Sequence, residues 1–310
     1  GDSKNLDNLL AMRFQRYRHF TVSLEKYPYI EGILRDLPPD IVYHVAACAR
    51  EGASVFQPVK IVRTNVMIST IMFELAIKYR VKKIIFFSSM AVSGSNPLPF
   101  TESQPKNPRD IYAICKAASE DILQNLAQVH NFEWTILRPH NVTGRGQALF
   151  DLFRNVAGIF MNRIMRGDPI YIFGQNHRRA FSAIEDSLPA FLKAGELGVA
   201  SGEVIFVGGK EHITIDELAD EIIKHFPDKN VERIYLPARP LEVQEAYCST
   251  EKSERLLGYE EKVGWRESTR RMAEWAKVRG PQEWRIEDLP LKNDATPLPW
   301  LDLIGRKKEN

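Results

Sequence analysis

Ile84-Ile-Phe-Phe-Ser-Ser-Met-Ala-Val-Ser-Gly94 and, further on, Asp110-Ile-Tyr-Ala-Ile-Cys-Lys116-Ala-Ala-Ser-Glu120 are the two stretches that decide how this chain folds. The first is a short apolar run ending in small polar residues, which predicts a buried strand with Ser89 at its carboxyl end. The second predicts a helix over 109–127. Positions i and i+4 share one helix face, so the Tyr112 phenol and the Lys116 ammonium point into the same cleft. A phenol with an ordinary pKa of ~10 is a poor base at neutral pH, and an adjacent cation is expected to draw that value down. Ser89 can hydrogen-bond the same substrate oxygen. The three together would move a proton to or from a hydroxyl whose carbon loses or gains a hydride.

Outward from this pair, strands and helices alternate, which predicts a parallel sheet covered on both faces. Asp40-Ile-Val-Tyr-His44 reads as a strand that leads into the loop Val45-Ala-Ala-Cys-Ala-Arg50. A long helix is expected from Pro58 to Tyr79, turning Ile61, Asn65, Ile68, Phe73 and Ala76 inward. Trp134 to Leu137 reads as the strand after the Tyr112 helix. Beyond Gly144 the pattern predicts helices over 150–166, 186–194, 215–226, 250–257 and 266–278, with strands over 169–173 and 204–207. Thr214-Ile-Asp-Glu217 has capping-box spacing at the start of one of them. The organisation expected is an incomplete dinucleotide-binding half (1–144), a mainly substrate-binding half (145–279) and an extension (280–310) rich in Pro, Trp and charge that wraps another surface.

Composition bounds the function. The 310 residues are 44% hydrophobic and 26% charged, the balance of an ordinary globular protein. A net charge of +2 gives no electrostatic case for nucleic acid or a membrane surface. Cys48, Cys115 and Cys248 are far apart and lack metal-ligand spacing, so they read as free thiols in a reducing compartment, with no metal site. No apolar stretch reaches the ~20 residues of a membrane span, and no signal peptide opens the sequence, so a cytoplasmic location is expected.

Read in order, Phe87-Ser-Ser-Met-Ala-Val-Ser-Gly94, Pro99-Phe-Thr-Glu102, Asn107-Pro-Arg-Asp-Ile-Tyr112, Lys116 and Leu137-Arg-Pro-His-Asn-Val-Thr-Gly144 resemble the extended short-chain dehydrogenase/reductase family, in its nucleotide-sugar epimerase and dehydratase branch. The resemblance runs from about residue 20 to about residue 278. It implies an α/β fold: a Rossmann-like, doubly wound parallel sheet with a smaller carboxyl-terminal α/β substrate domain. It implies Ser89, Tyr112 and Lys116 as catalytic residues and NAD as cofactor, lined by Val45, Ala46, Ala47 and Asn65 together with Tyr112 and Lys116. For a nucleotide-sugar substrate it implies contacts from Ser89 and Asn141, diphosphate contacts from Arg179 and Arg239, and a ribose contact from Glu242. Arg178 beside Arg179 leaves a one-residue ambiguity, and Asn141 is also a common turn former. A homodimer or larger assembly is expected as well.

The sequence departs from the family at the amino end. A strand, a Gly-x-x-Gly-x-x-Gly turn and a helix that faces the dinucleotide pyrophosphate are not found in these 310 residues. Gly1 to Leu10 resembles the segment that follows the family's second strand, and Ser23 stands where an aspartate meets the adenine. Without the glycine turn, NAD binding by these residues alone is expected to be weak, with the open sheet edge favouring association. Met90 and Ala91 replace the Asp-Glu pair of sugar dehydratases, Ser93 a tyrosine, and Ala180 and Ser249 two acids. The pattern therefore favours 4-epimerisation of a UDP-hexose over dehydration. Two readings of other classes stand beside it: a non-catalytic structural or regulatory subunit that has lost cofactor binding, and a different oxidoreductase of the same branch.

Overall fold

The computed structural model describes residues 18–285 and 287–309; the segment Gly1–Leu10 lies outside them. Helix α1 (Tyr27–Asp36) has Pro28 in its first turn and lays Ile30 and Leu34 on Met72 and Leu75. Strand β1 (Ile41–His44) runs into a loop, a 3-10 turn (Ser54–Phe56) and helix α2 (Pro58–Val62). A π-helical turn (Arg63–Met67) joins α2 to α3 (Ile68–Lys78). Ile61, Asn65, Ile68, Phe73 and Ala76 are all buried, as the periodicity predicts. The sequence reading of one continuous helix did not anticipate the π turn.

Strand β2 (Lys83–Phe87), helix α4 (Ile111–His130) and strand β3 (Glu133–Pro139) follow, then the short strand β4 (Val142–Thr143). Asp110 caps α4 by accepting from Ala113 N–H at 2.9 Å, and Asn131 ends the helix in the left-handed conformation. The second half brings α5 (Val156–Arg166), β5 (Ile170–Phe173), β6 (Arg178–Ala180), β7 (Ser182–Ala183) and α6 (Ile184–Ala194). It continues with β8 (Glu203–Val207), β9 (His212–Thr214), α7 (Ile215–Lys224), β10 (Arg233–Leu236), β11 (Glu245–Ala246), α8 (Glu251–Leu257), α9 (Gly264–Arg279) and α10 (Leu298–Glu309). The capping box at α7 forms in full: Thr214 accepts from Glu217 N–H and Glu217 from Thr214 N–H. The expected helix over 150–166 begins only at Val156. Asn155 caps it through Ala157 N–H, and Leu152 and Phe153 leave the helical path to pack elsewhere.

The main sheet has the order β1-β2-β3-β8, every pair parallel. Successive side chains on a strand face opposite ways. Ile84, Phe86 and Ile136 accordingly pack on Phe73, Ala76 and Leu123 of α3 and α4. Ile85, Leu137, Ile205 and Val207 pack on Ala190, Phe191 and Leu257 of α6 and α8. The sheet is therefore doubly covered, and its last strand comes from beyond residue 144. A second core joins α5, β5, α7 and α9 around Phe160, Ile172, Phe181, Leu218, Trp265 and Met272. Among the described residues, no helix is long and apolar enough to cross a membrane.

The extension wraps its own chain. Leu289, Trp300 and Ile304 pack on Ala53, Phe56, Leu152 and Phe153, so the tail touches both halves. Glu287 accepts from Arg50, which also reaches Asp151 at 2.9 Å, and pairs with Lys60. Burial opposes its ionisation, but Lys60 and Arg50 outweigh that and hold Glu287 down at about 2. A carboxylate depressed in the folded state stabilises above its unfolded pKa of ~4.3 and loses that contribution as pH falls towards the folded value. Glu287→Gln is thus expected to loosen the tail at neutral pH, read as faster proteolysis after residue 280, and to shrink the difference in tail protection between pH 7 and pH 3.

Candidate active site

The carboxyl ends of parallel strands are where an open α/β sheet receives ligands, and the three expected catalytic residues meet there. Ser89 follows β2 and caps a 3-10 turn (Met90–Ser93), its Oγ accepting from Ala91 N–H at 3.2 Å. Tyr112 sits in the first turn of α4, 5% exposed, with its ring against Ile61 and Cys115. Lys116, one turn on and 1% exposed, donates from Nζ to the Phe87 carbonyl at 2.6 Å; Nζ lies 6.0 Å from the Tyr112 ring centre and 4.8 Å from that of Phe86. The helix therefore presents both side chains to one cleft, as the spacing predicts.

The electrostatics differ from the sequence expectation. Burial raises the Tyr112 phenol far above its ordinary value, the Glu51 carboxylate pushes the same way, and the Ser89 hydroxyl opposes both. Burial also lowers Lys116 to about 7. Lys116 does not draw the phenol down here, because the ammonium is turned onto the Phe87 carbonyl and loses charge to desolvation. The resting site thus holds a protonated phenol beside a lysine poised to titrate near neutrality.

The cofactor-side residues form one wall. Val45 and Ala46 are exposed and Ala47 half-buried in the loop after β1. Asn65, 0% exposed, accepts from Cys48 N–H at 3.0 Å and donates to the Cys48 and Ile61 carbonyls at 3.2 and 3.0 Å. The π turn of α2–α3 aims Asn65 inward, and its amide is spent on shaping this loop. A cavity of about 280 Å³ opens beside Ala46, Ala47 and Cys48, with Lys60 and Arg154 on its rim. Small side chains on a fixed backbone next to Tyr112 and Lys116 fit the nicotinamide end of a dinucleotide. The glycine turn that would cradle the pyrophosphate is not among these 310 residues.

Across the cleft, β6 and the segment before β11 gather the other expected residues. Arg239 pairs with Glu242 through two nitrogens, Nε at 3.0 Å, and Arg179 lies 3.6 Å from the same carboxylate. Burial would raise Glu242, but His177 and the arginines hold it far below the usual carboxylate range. Arg179 also donates to the Arg178, Val243 and Gln244 carbonyls at 2.6–2.9 Å. Arg178 turns the other way, towards the His212 carbonyl and Glu245. Neighbours on a strand face opposite sides, so the geometry selects Arg179 as the arginine beside Arg239. Asn141 has a positive φ of 34° and donates to the Ala180 carbonyl at 2.9 Å. It forms a turn that ties β4 to the β6–β7 segment, with one amide N–H engaged there.

Two residues of this cleft were not singled out from sequence. Arg109 lines a cavity of about 460 Å³ together with Asn96, Arg239 and Glu242. Its position, three residues before Tyr112 in Asn107-Pro-Arg-Asp, was the available signal. Glu51 is exposed, yet its charge is felt by Asp110, Arg179, Arg239 and Glu242. Desolvation of the carboxyl among these side chains and the Asp110 charge push it upward. Its only sequence cue was its place seven residues after the β1 strand.

With this geometry in view, the comparisons are specific. The NAD dependent epimerase/dehydratase family matches residues 4–208. A protein of Methanocaldococcus jannaschii provisionally named UDP-glucose 4-epimerase is 31% identical over 246 residues, 77% of each chain. The crystal structure of Thermotoga maritima UDP-glucose 4-epimerase with UDP-glucose is 29% identical, covers 84% of each chain and has a TM-score of 0.77. That of Thermus thermophilus UDP-glucose 4-epimerase in complex with NAD is 25% identical, covers 87% of this chain and 93% of the other, and has a TM-score of 0.77.

Proposed function

We propose a function from the premise that this chain belongs to the NAD dependent epimerase/dehydratase family, as the match over residues 4–208 shows: it interconverts a nucleotide-diphosphate sugar with its 4-epimer, a UDP-hexose in the first instance. What supports the reading is that Ser89, Tyr112 and Lys116 gather at the carboxyl end of β2, while Arg179, Arg239 and Glu242 form an ion cluster linked to Tyr112 through the Glu51 charge. A planar guanidinium suits a diphosphate because it offers paired, charge-assisted hydrogen bonds. Two arginines would have no use against an apolar substrate, which disfavours a reductase of such compounds. Retention of the whole Ser-Tyr-Lys set disfavours a non-catalytic subunit.

NAD, when bound, supplies a hydride acceptor and donor. Val45, Ala46 and Ala47 would line its nicotinamide side, with Asn65 fixing their backbone. Tyr112, brought to the phenolate when ligands bind, would take the proton of the sugar 4-hydroxyl at its phenolic oxygen as the hydride leaves, and return it to that oxygen when the hydride comes back. Ser89 hydrogen-bonds that oxygen and keeps it within reach. Lys116, anchored on the Phe87 carbonyl, tunes the phenol once ligands exclude water from the cleft. Met90 and Ala91 give no acid where dehydratases carry theirs. Exposed Val59, Val62, Met67 and Ile114 on the neighbouring elements α2, the π turn and α4 support pairing with a second copy. Three free thiols support a cytoplasmic location.

The test is incubation of the NAD-supplemented protein with UDP-glucose or UDP-galactose and separation of the products. Interconversion from both sides is expected. A 4-keto-6-deoxy product, or binding without turnover, would replace this reading. In the same assay series, Arg179→Ala and Arg239→Ala should each weaken UDP binding by about 1.5–3 kcal/mol, the worth of a charge-assisted hydrogen bond. Arg271→Ala, on α9 and paired with Glu267, should not. Equal affinities across the three variants by titration calorimetry would rule out the diphosphate role.

A further inference from the structure

We propose that Glu51 contacts the sugar ring and sets which sugar is accepted, favouring a neutral hexose over a hexuronate. The inference rests on the nucleotide-sugar reading and deepens it. Glu51 lies in the loop after β1, between the two sides of the cleft. Its neighbour Gly52 runs against Arg239 so closely that a Cβ there would stand 3.0 Å from a guanidinium nitrogen. Three residues on, Ser54 donates to Asp110, the cap of the Tyr112 helix, at 3.5 Å. The loop therefore spans from the diphosphate arginines to the acid/base tyrosine, and the Glu51 charge acts on Tyr112, Asp110, Arg179 and Arg239 alike.

A sugar held by its diphosphate at Arg179 and Arg239, with its 4-hydroxyl at Tyr112, must lay its ring along this gap. Neither arginine is paired with Glu51: Arg239 is held by Glu242 and Arg179 by three carbonyl oxygens. The Glu51 carboxyl makes no hydrogen bond or ion pair among the described residues, so its acceptor capacity is unused. Sugar hydroxyls can fill that capacity. A sugar carboxylate cannot do so at a pH where Glu51 is ionised, because like charges sharing a partly enclosed site oppose each other.

Titration calorimetry at pH 8.5 with UDP, UDP-glucose and UDP-glucuronate tests this on the full chain. The wild type should prefer UDP-glucose to UDP-glucuronate by at least about tenfold. Glu51→Gln, which keeps size and shape, should reduce that ratio about tenfold, and Glu51→Ala should reduce it at least as far. A general effect of the lost charge on the arginines would move all three ligands together and leave the ratio intact. An unchanged ratio in both variants, or a wild type that binds both sugars equally, overturns the proposal while UDP binding still supports the nucleotide-sugar reading. Absence of binding by all three ligands to the wild type overturns both.

Discussion

Tyr112→Phe should lower epimerase turnover by about 10²–10⁴, the usual loss when a positioned acid/base group is removed, and leave the fold intact. The ring is 5% exposed and packs on Ile61 and Cys115, contacts that phenylalanine keeps. Only the hydroxyl facing Ser89 disappears. Burial holds the phenol protonated in the resting site and lowers Lys116 to about 7, so the lysine is about half charged at neutral pH. For the sugar 4-hydroxyl to pass its proton to Tyr112, the phenol would first have to give up its own, so bound cofactor and substrate must bring it to the phenolate. Loss of the hydroxyl should also erase the limb of the kcat pH profile assigned to this pair. Thermal unfolding by circular dichroism should change by less than the assay does. Turnover equal to wild type, at unchanged stability, would remove Tyr112 from its role.

The main sheet was legible because its signals are local. Ile84 to Phe87 and Trp134 to Leu137 are apolar runs short enough to be strands, and the i, i+4 spacing of Tyr112 and Lys116 places both on one helix face. Thr214 announced its helix by capping-box spacing. The short strands β4, β6, β7, β9 and β11, two or three residues each, carry no such signal, since pairing across distant segments makes them. The same limit hid Glu51 and Arg109, which enter the cleft through loops. The charge state of the site was illegible for a different reason. Spacing brought Lys116 near Tyr112, but burial and the Phe87 carbonyl decide what the ammonium does there, and neither is written in a four-residue interval. Family resemblance ordered Arg179, Arg239 and Glu242, and only the alternation along β6 separated Arg179 from Arg178.

Glu120→Gln is expected to cost about 3–5 kcal/mol of stability, the loss found when one partner of a buried ion pair is removed. Glu120 is 0% exposed, and it accepts from Arg138 Nε at 2.9 Å and Nη2 at 2.7 Å. Ser88 Oγ also donates to it, and Lys106 lies 3.4 Å away. The pair bridges α4 to β3, with Ser88 adjoining Ser89 and Lys116 one helical turn before Glu120. The glutamine leaves the Arg138 guanidinium, itself 4% exposed, without a compensating charge in a site that water does not reach. Replacing both partners together, Glu120→Leu with Arg138→Met, should recover most of the loss, because matched apolar groups carry no desolvation penalty. Activity separates the roles. The Glu120 carboxylate favours the charged form of Lys116, so the double variant should fold well yet hold a lysine whose pKa falls further below about 7. Its activity should be impaired above that pH even where its stability is restored. Urea denaturation of the single and double variants checks the first part, and a loss under about 1 kcal/mol in Glu120→Gln would show that the pair does not hold the sheet to the catalytic helix.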